Sequence, residues 1–132
     1  MTKTYAGACH CGAVRIEAEI DLSAGTAKCN CPICVKSRMW VAFIAPDAFR
    51  LLGGEGALRD YQPYHVHHPF CERCGVRVFS WAEDQSPAGK FYAIRVACLE
   101  GVDDRELAEA PVRYFNGRDD EYDRAPAETR HL

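Results

Sequence analysis

Cysteine is the residue type in this sequence with the clearest capacity for chemistry. A thiolate is both a nucleophile and a soft metal ligand, and Zn²⁺ readily takes four such ligands in a tetrahedron. Seven of the eight cysteines fall into three short clusters, which are Cys9 and Cys11, then Cys29, Cys31 and Cys34, then Cys71 and Cys74. Three clusters in one short chain predict metal binding far more strongly than a lone C-x-x-C pair, which also serves redox exchange.

The spacing within each cluster suits a shared metal ion. The first two clusters contain a C-x-C step, and residues i and i+2 of an extended chain point to the same face. The third cluster is a C-x-x-C pair followed by Gly75, which permits the tight backbone of a metal-binding turn. Seven thiolates divide naturally into four and three. Four would form a closed structural site, and three would form a site with one open coordination position. Spacing alone leaves the pairing open: Cys9 and Cys11 join either Cys71 and Cys74 or part of the second cluster.

Two other uses of clustered cysteines compete with zinc. Disulfides need an oxidising compartment, but residues 1–8 are short and polar and no apolar signal segment follows them. We therefore expect a cytoplasmic protein with reduced thiols. An iron–sulfur cluster stays open as an alternative, since cysteine also holds those clusters. Cys98 stands alone in a strand-like segment, which favours a small buried hydrophobe over a ligand.

Short alternating segments predict a mainly β fold of one domain, as suits 132 residues. The predicted strands are residues 13–20, 40–45, 49–52, 58–63, 64–68, 76–81 and 91–99. Short helical turns are expected at residues 34–38, 46–49 and 103–110. After Gly117 the chain is charged and poor in apolar residues, which predicts a mobile tail.

Charge and hydropathy exclude some partners. The formal charge is −3 and the sequence has no basic stripe, so neither nucleic acid nor an anionic membrane is expected as a partner. No apolar stretch approaches the roughly 18–20 residues of a membrane span. Exposed strand edges in so small a fold are compatible with a homodimer.

Three motifs resemble those of the glutathione-dependent formaldehyde-activating enzyme (Gfa) family, which includes centromere protein V. They are Gly-Ala-Cys-His-Cys-Gly-Ala-Val at residues 7–14, Cys-Asn-Cys-Pro-Ile-Cys at residues 29–34 and Phe-Cys-Glu-Arg-Cys-Gly at residues 70–75. Leu-Gly-Gly-Glu at residues 52–55 and Phe-Asn-Gly-Arg at residues 115–118 are further landmarks. The similarity runs from about Gly7 to Gly117.

The resemblance implies a β-tent fold, made of small coiled antiparallel sheets with short helical turns and two bound Zn²⁺ ions. It assigns residues 1–118 to a single zinc-binding domain and residues 119–132 to the charged tail. It also implies a pairing in which a structural zinc is held by Cys9, Cys11, Cys71 and Cys74. The second, catalytic zinc is then held by Cys29, Cys31 and Cys34.

The function implied is that of a zinc-dependent carbon–sulfur lyase of the S-(hydroxymethyl)glutathione synthase type. Its substrates are expected to be a small thiol such as glutathione and a small aldehyde, with a zinc-bound thiolate adding to the carbonyl carbon. The alternatives are a non-catalytic zinc module, which binds a small thiol or a protein partner, and a redox sensor that releases metal on oxidation.

Four other polar residues are weaker candidates. His65 and His67 alternate along a predicted strand, where a solvated face is the simpler reading, although His67 or Cys98 is an alternative fourth ligand of the second zinc. Lys36 and Arg38 follow the second cluster and would attract an acidic thiol, or else serve only as surface charges.

Overall fold

Alternating apolar and polar residues produce strands along most of the chain. The computed structural model describes residues 1–83, 86 and 88–132. Its strands are β1 Lys3–Ala8, β2 Arg15–Ile20, β3 Thr26–Cys29, β4 Val41–Ile44, β5 Phe49–Gly53, β6 Leu58–Tyr61, β7 Val66–Cys71, β8 Phe79–Ala82, β9 Phe91–Arg95, β10 Leu99–Glu100 and β11 Val112–Phe115. Two short α-helices, α1 Pro32–Lys36 and α2 Asp104–Glu109, and several single 3₁₀ turns complete the described structure. The prediction of a mainly β fold is confirmed.

The strands form two sheets. A four-stranded sheet has the order β10-β1-β2-β5, and a seven-stranded sheet has the order β11-β3-β4-β9-β8-β7-β6. The described pairings are antiparallel, as predicted, except that β3 and β11 run parallel. This correction has a topological cause: β11 returns from α2 to the free edge of β3, with Thr26 opposite Val112 and Cys29 opposite Phe115.

The first hairpin presents the first cysteine cluster. β1 and β2 pair in continuous register from Lys3 opposite Ile20 to Ala8 opposite Arg15, so residues 9–14 form the connecting loop. Residues 1–8 carried no strand prediction because their polar side chains face solvent. Only Tyr5 and Gly7 in β1 are buried, which leaves too short an alternation to recognise.

The segment predicted as one strand over residues 91–99 is divided between the two sheets. β9 ends at Arg95, a 3₁₀ turn spans Val96–Cys98, and β10 then pairs with β1 through Leu99 and Gly7. At this turn the chain leaves the larger sheet and enters the smaller one. The local sequence pattern alone does not reveal that change of sheet.

A shared apolar core holds the two sheets together. Val14, Ile16, Val41, Ile94 and Val96 are each at most 1% exposed. Full burial of such a side chain stabilises the folded state by about 1.5–3 kcal/mol. Two cysteines of the outer clusters, Cys9 and Cys71, belong to the same core, so metal ligands and core packing are physically continuous.

Within the described part of the chain, no helix is both long enough and apolar enough to cross a bilayer.

Candidate metal centres

Four cysteines from the first and third clusters converge at one point. The Sγ atoms of Cys9, Cys11, Cys71 and Cys74 all lie within 4.8 Å of one another. The Cys9–Cys11 and Cys11–Cys71 Sγ separations are both 3.7 Å. Four sulfurs at a Zn–S distance of about 2.3 Å in a tetrahedron are about 3.8 Å apart, so the two separations of 3.7 Å match those of a tetrahedral zinc site.

Two similar backbone turns build this four-cysteine group. The N–H of Cys9 donates to Val14 O at 3.0 Å, and the N–H of Cys71 donates to Val76 O at 3.0 Å. Inside each turn a glycine has a left-handed backbone, with φ of 80° at Gly12 and 75° at Gly75. A residue with a Cβ rarely adopts that conformation, which explains the glycine after each cysteine pair.

A third glycine presses against the first of these turns. Gly54 has φ of 89°, and a Cβ built on it would lie 2.1 Å from Ala13 O. The next segment also supports the second turn, because the N–H of Glu72 donates to Ala57 O at 2.8 Å. Residues 54–57 therefore contact both cysteine turns, the first through Gly54 and the second through Ala57.

The local environment shifts the pKa values of these thiols in different directions. Burial raises the pKa of Cys9, but hydrogen bonds from the Val14 N–H and the neighbouring thiols outweigh it and lower the pKa. Backbone N–H groups of Cys11 and Val76 lower the pKa of Cys74 to about 6. A hydrogen bond from the Ala13 N–H lowers the pKa of Cys11, but burial and hydrogen bonds to the other three thiols of the group outweigh it and raise the pKa to about 11. Cys9 and Cys74 therefore lose their protons before Cys11 does, and binding of a metal would have to displace the Cys11 proton.

The remaining three clustered cysteines form a second group at the end of β3 and in α1. The Sγ atoms of Cys29, Cys31 and Cys34 lie within 4.8 Å of one another. Cys31 is the N-cap of α1, and Pro32 at its first position pre-sets the helical φ. The Cys31 and Cys34 sulfurs are 2.8 Å apart, so they must separate by about 1 Å to share a tetrahedral zinc. The donor chemistry fits zinc, with three thiolates supplied by the chain.

A pair of buried asparagines builds one wall of this three-cysteine group. Asn30 Nδ2 donates to Asn116 Oδ1 at 2.8 Å, and the Arg118 N–H donates to Asn30 Oδ1 at 2.9 Å. These bonds hold Gly117 close to the cysteines. A Cβ on Gly117 would lie 2.6 Å from Cys29 Sγ and 3.1 Å from Tyr122 Oη. The Phe-Asn-Gly-Arg landmark therefore packs directly on the second cysteine group.

A cavity of about 150 Å³ opens beside the three-cysteine group. Cys29 and Cys34 line it together with Lys28, Arg38 and Leu132. Arg38 Nη1 donates to His131 O at 2.6 Å, and Lys28 Nζ donates to Leu132 O at 3.1 Å. Leu132 therefore lines the cavity, and His131 is hydrogen-bonded to the lining residue Arg38. The division into a domain of residues 1–118 and a mobile tail stays a prediction.

The three thiols of this group differ in pKa. Hydrogen bonds from the Cys31 and Cys34 thiols hold the pKa of Cys29 far below its usual range. The pKa of Cys34 is correspondingly raised by its hydrogen bonds to Cys29 and Cys31 and by burial. Cys29 is therefore the first thiolate of this group.

The structure brings the seven clustered cysteines together in two groups, and it places Arg38, one of the weaker candidates, beside the second group. Among the described residues, no histidine, carboxylate or Cys98 thiol joins either group. The His67 ring stacks on Trp81 with centroids 3.9 Å apart and contacts Asp60 Oδ2 at 2.6 Å. Of the two cations named after the second cluster, Arg38 lines the cavity and Lys36 does not.

Sequence reasoning assigned no role to Asn30, Asn116 or Gly117. The only signal was that residues 115–118 matched a landmark, and the asparagine pair joins positions 86 apart.

Fold and sites together define a mainly β protein with two thiol groups suited to metal. The sequence model of the glutathione-dependent formaldehyde-activating enzyme family matches residues 4–116. A crystal structure of a Rhodobacter sphaeroides protein is 33% identical to this chain and superimposes with a TM-score of 0.68. The match covers 82% of this chain and 99% of that one. The chain belongs to the glutathione-dependent formaldehyde-activating enzyme family.

Proposed function

We propose that the protein binds two zinc ions and acts as a carbon–sulfur lyase on thiol–aldehyde adducts such as S-hydroxymethylglutathione. Cys9, Cys11, Cys71 and Cys74 would hold a structural ion. Cys29, Cys31 and Cys34 would hold the second ion, beside the cavity. The observation that carries the proposal is this asymmetry: four thiols form a closed set in the core, whereas three thiols face a cavity.

The chain's own residues can bind and orient an acidic thiol. Zinc, when held by three thiolates, supplies an open coordination position and lowers the pKa of an incoming thiol. Lys28 and Arg38 place two positive charges on the cavity wall, which favours a thiol that carries carboxylates. A Cβ on Gly117 would lie 2.6 Å from Cys29 Sγ, so the backbone of this loop packs directly against the cysteines.

The reaction balances without an oxidant or a further cofactor. In the synthetic direction the thiol sulfur forms a bond to the aldehyde carbon, the carbonyl π electrons move to oxygen, and the thiol proton neutralises that oxygen. The reverse step breaks the carbon–sulfur bond and returns the proton to sulfur. Burial and the nearby cysteine charges raise the pKa of Tyr122, so its hydroxyl stays protonated beside the three-cysteine group.

The test combines metal content with turnover. Protein purified without added metal is expected to contain two zinc ions per chain, and Cys34→Ala is expected to retain one and stay folded. Glutathione and formaldehyde are the assay pair, with formation of the adduct followed by NMR above the uncatalysed rate. Two zincs without acceleration would support the non-catalytic module instead, and a single zinc would contradict the second site.

A further inference from the structure

Residues 128–132, which we call the closing segment, lie against the cavity of the three-cysteine group. Leu132 lines this cavity together with Cys29 and Cys34. The closing segment lies beyond residue 116, where the match to the family's sequence model ends. Membership of the family therefore assigns no role to the residues that form this part of the cavity wall.

Two cations attach the closing segment to the rest of the cavity wall. Arg38 Nη1 donates to His131 O at 2.6 Å, and Lys28 Nζ donates to Leu132 O at 3.1 Å. A charged donor makes each of these bonds stronger than a bond between neutral groups. Lys28 and Arg38 are also the cations that the proposed function uses to attract an acidic thiol. Such a thiol therefore competes with the closing segment for the same donors.

The closing segment has a fold of its own, which Glu128 organises. The Glu128 carboxylate accepts hydrogen bonds from the backbone N–H groups of Thr129 and Arg130, at 3.1 and 3.2 Å. It also accepts two from the Arg130 guanidinium, at 2.7 and 3.0 Å. The Leu132 N–H then donates to Thr129 O at 3.0 Å and closes a turn. None of residues 128–132 is buried, so the segment can leave the wall by a local opening that does not unfold the domain.

The cavity is small while Leu132 lines it. Its volume is about 150 Å³, whereas small-molecule sites usually measure about 300–1,000 Å³. The other lining residues lie in β3, in α1, between α1 and β4 and in the turn after β9, all within the part that the family model matches. A thiol too large for the present volume therefore gains room at the lowest cost by displacing Leu132.

We propose that the closing segment is a specificity-determining element that selects thiols by size. A small thiol enters the cavity beside Leu132, whereas a thiol as large as a tripeptide enters only after Leu132 has left the wall. This inference deepens the proposed function and rests on it. The energy needed to displace the segment reduces the affinity for a large thiol and leaves the affinity for a small one unchanged.

The experiment compares two thiols that both carry carboxylates but differ in size, mercaptoacetate and glutathione, each assayed with formaldehyde. Leu132→Ala shortens the side chain in the wall, and Glu128→Gln weakens the turn that positions it. Asp123→Asn, an exposed carboxylate in the same part of the chain, is the matched control for charge. We expect Leu132→Ala and Glu128→Gln to lower the KM for glutathione about threefold to tenfold and to change the KM for mercaptoacetate less than about twofold. Asp123→Asn should match wild type with both thiols.

A second measurement on the wild-type protein does not depend on turnover or on any variant. The NMR signals of the Leu132 methyl groups report whether this side chain lies in the cavity wall. Saturating glutathione is expected to move these signals to the positions of a leucine in an unfolded chain. Mercaptoacetate should not release the side chain in this way.

Two outcomes would overturn the inference while the proposed function stands. They are an equal KM for glutathione in wild type, Leu132→Ala and Glu128→Gln, and Leu132 methyl signals that keep their positions at saturating glutathione. A KM lowered equally for both thiols would also contradict selection by size. If wild type turns over neither thiol, the proposed function fails and the NMR titration alone decides: release of Leu132 by glutathione but not by mercaptoacetate supports the closing segment, and no release overturns it.

Discussion

The two cysteine groups use the same ligand type but are built in different ways. The four-cysteine group draws on two turns from distant segments, with Cys11 and Cys71 separated by 60 positions. The three-cysteine group comes from six consecutive residues at the start of one short helix. A cross-link between distant segments restrains the unfolded chain much more than a local one. Under the proposed function, we therefore expect the first group to maintain the fold and the second to serve chemistry.

The largest expected difference is between losing a ligand from each group. Cys71→Ser removes a ligand that is fully buried in the shared core and leaves a hydroxyl there. Binding of a structural zinc contributes on the order of 10 kcal/mol, comparable with the whole stability of a domain. We therefore expect Cys71→Ser to show no cooperative thermal transition, with Cys31→Ser melting within about 5 °C of wild type. Circular dichroism melts with zinc analysis check this, and equal melting of both variants would contradict the division of roles.

A glycine pair tests whether backbone contact supports the four-cysteine group. Gly54→Ala would place a Cβ 2.1 Å from Ala13 O at a positive φ, while a Cβ on Gly56 meets nothing within 4 Å. We expect Gly54→Ala to lower the free energy of unfolding by about 2–4 kcal/mol and Gly56→Ala to change it by less than about 0.5 kcal/mol. Urea unfolding measures both. A loss of similar size in both variants would show that the contact at Ala13 is not the cause.

His68 on β7, the strand that ends at Cys71, makes the four-cysteine side sensitive to acid. It is 8% exposed, and burial together with the charges of Arg77 and Arg95 lowers its pKa to about 4. The unfolded chain, with a histidine pKa of about 6.5, binds this proton more readily. Stability from neutral His68 is therefore complete above pH 6.5 and is lost as the pH falls towards 4.

The matched comparison for this effect is His68→Gln, which stays neutral at every pH. Between pH 7 and pH 5 we expect wild type to lose about 2 kcal/mol more than the variant. Unfolding in urea at several pH values, with zinc content followed alongside, separates the histidine from acid release of metal. Parallel pH profiles for the two proteins would show that His68 does not cause the loss of stability in acid.

Local spacing made the cysteine groups predictable, and long-range pairing made their surroundings unpredictable. The ligand clusters lie within a few residues, so the sequence alone indicates which residues bind together inside each cluster. The sequence did not decide which clusters combine; only the resemblance to a family suggested the pairing that the Sγ positions reproduce. Periodicity also located most strands, while β1, β3 and β11 were missed. β3 and β11 are four residues each, and unlike β4, β6 and β8 of the same length they do not lie in a longer apolar or alternating segment.

The loop that packs on the three-cysteine group could not be predicted from the sequence, for a physical reason. Asn30 and Asn116 read as ordinary turn residues, and only folding brings them to hydrogen-bonding distance. A cavity of about 460 Å³ is likewise lined by Arg38, Arg77 and Arg95, which come from three separate segments, after α1, before β8 and at the end of β9. Such sites depend on tertiary contacts that leave no short-range pattern.

The smallest expected effect concerns the contact that shapes the three-cysteine group. Gly117 has an ordinary backbone, but a Cβ there would lie 2.6 Å from Cys29 Sγ. Gly117→Ala must shift either the loop or the sulfur, and outer contacts of this kind alter metal affinity by about tenfold or more. Because the group is local, we expect the melting temperature to change by no more than about 3 °C. Gly56→Ala, which meets no neighbour, is the control.

Competition with a chromogenic zinc chelator measures this effect directly, since one of the two zinc ions should be released more readily in Gly117→Ala. The other ion should be released as in wild type, because the cysteine atoms nearest to a Cβ on Gly117 belong to the second group. If both ions became labile together, the two groups would behave as one coupled unit, and the separation of a fold-maintaining group from a reactive one would fail. If only the second ion weakens while the melting curve stays in place, the chain can alter its candidate reactive site without loss of its fold.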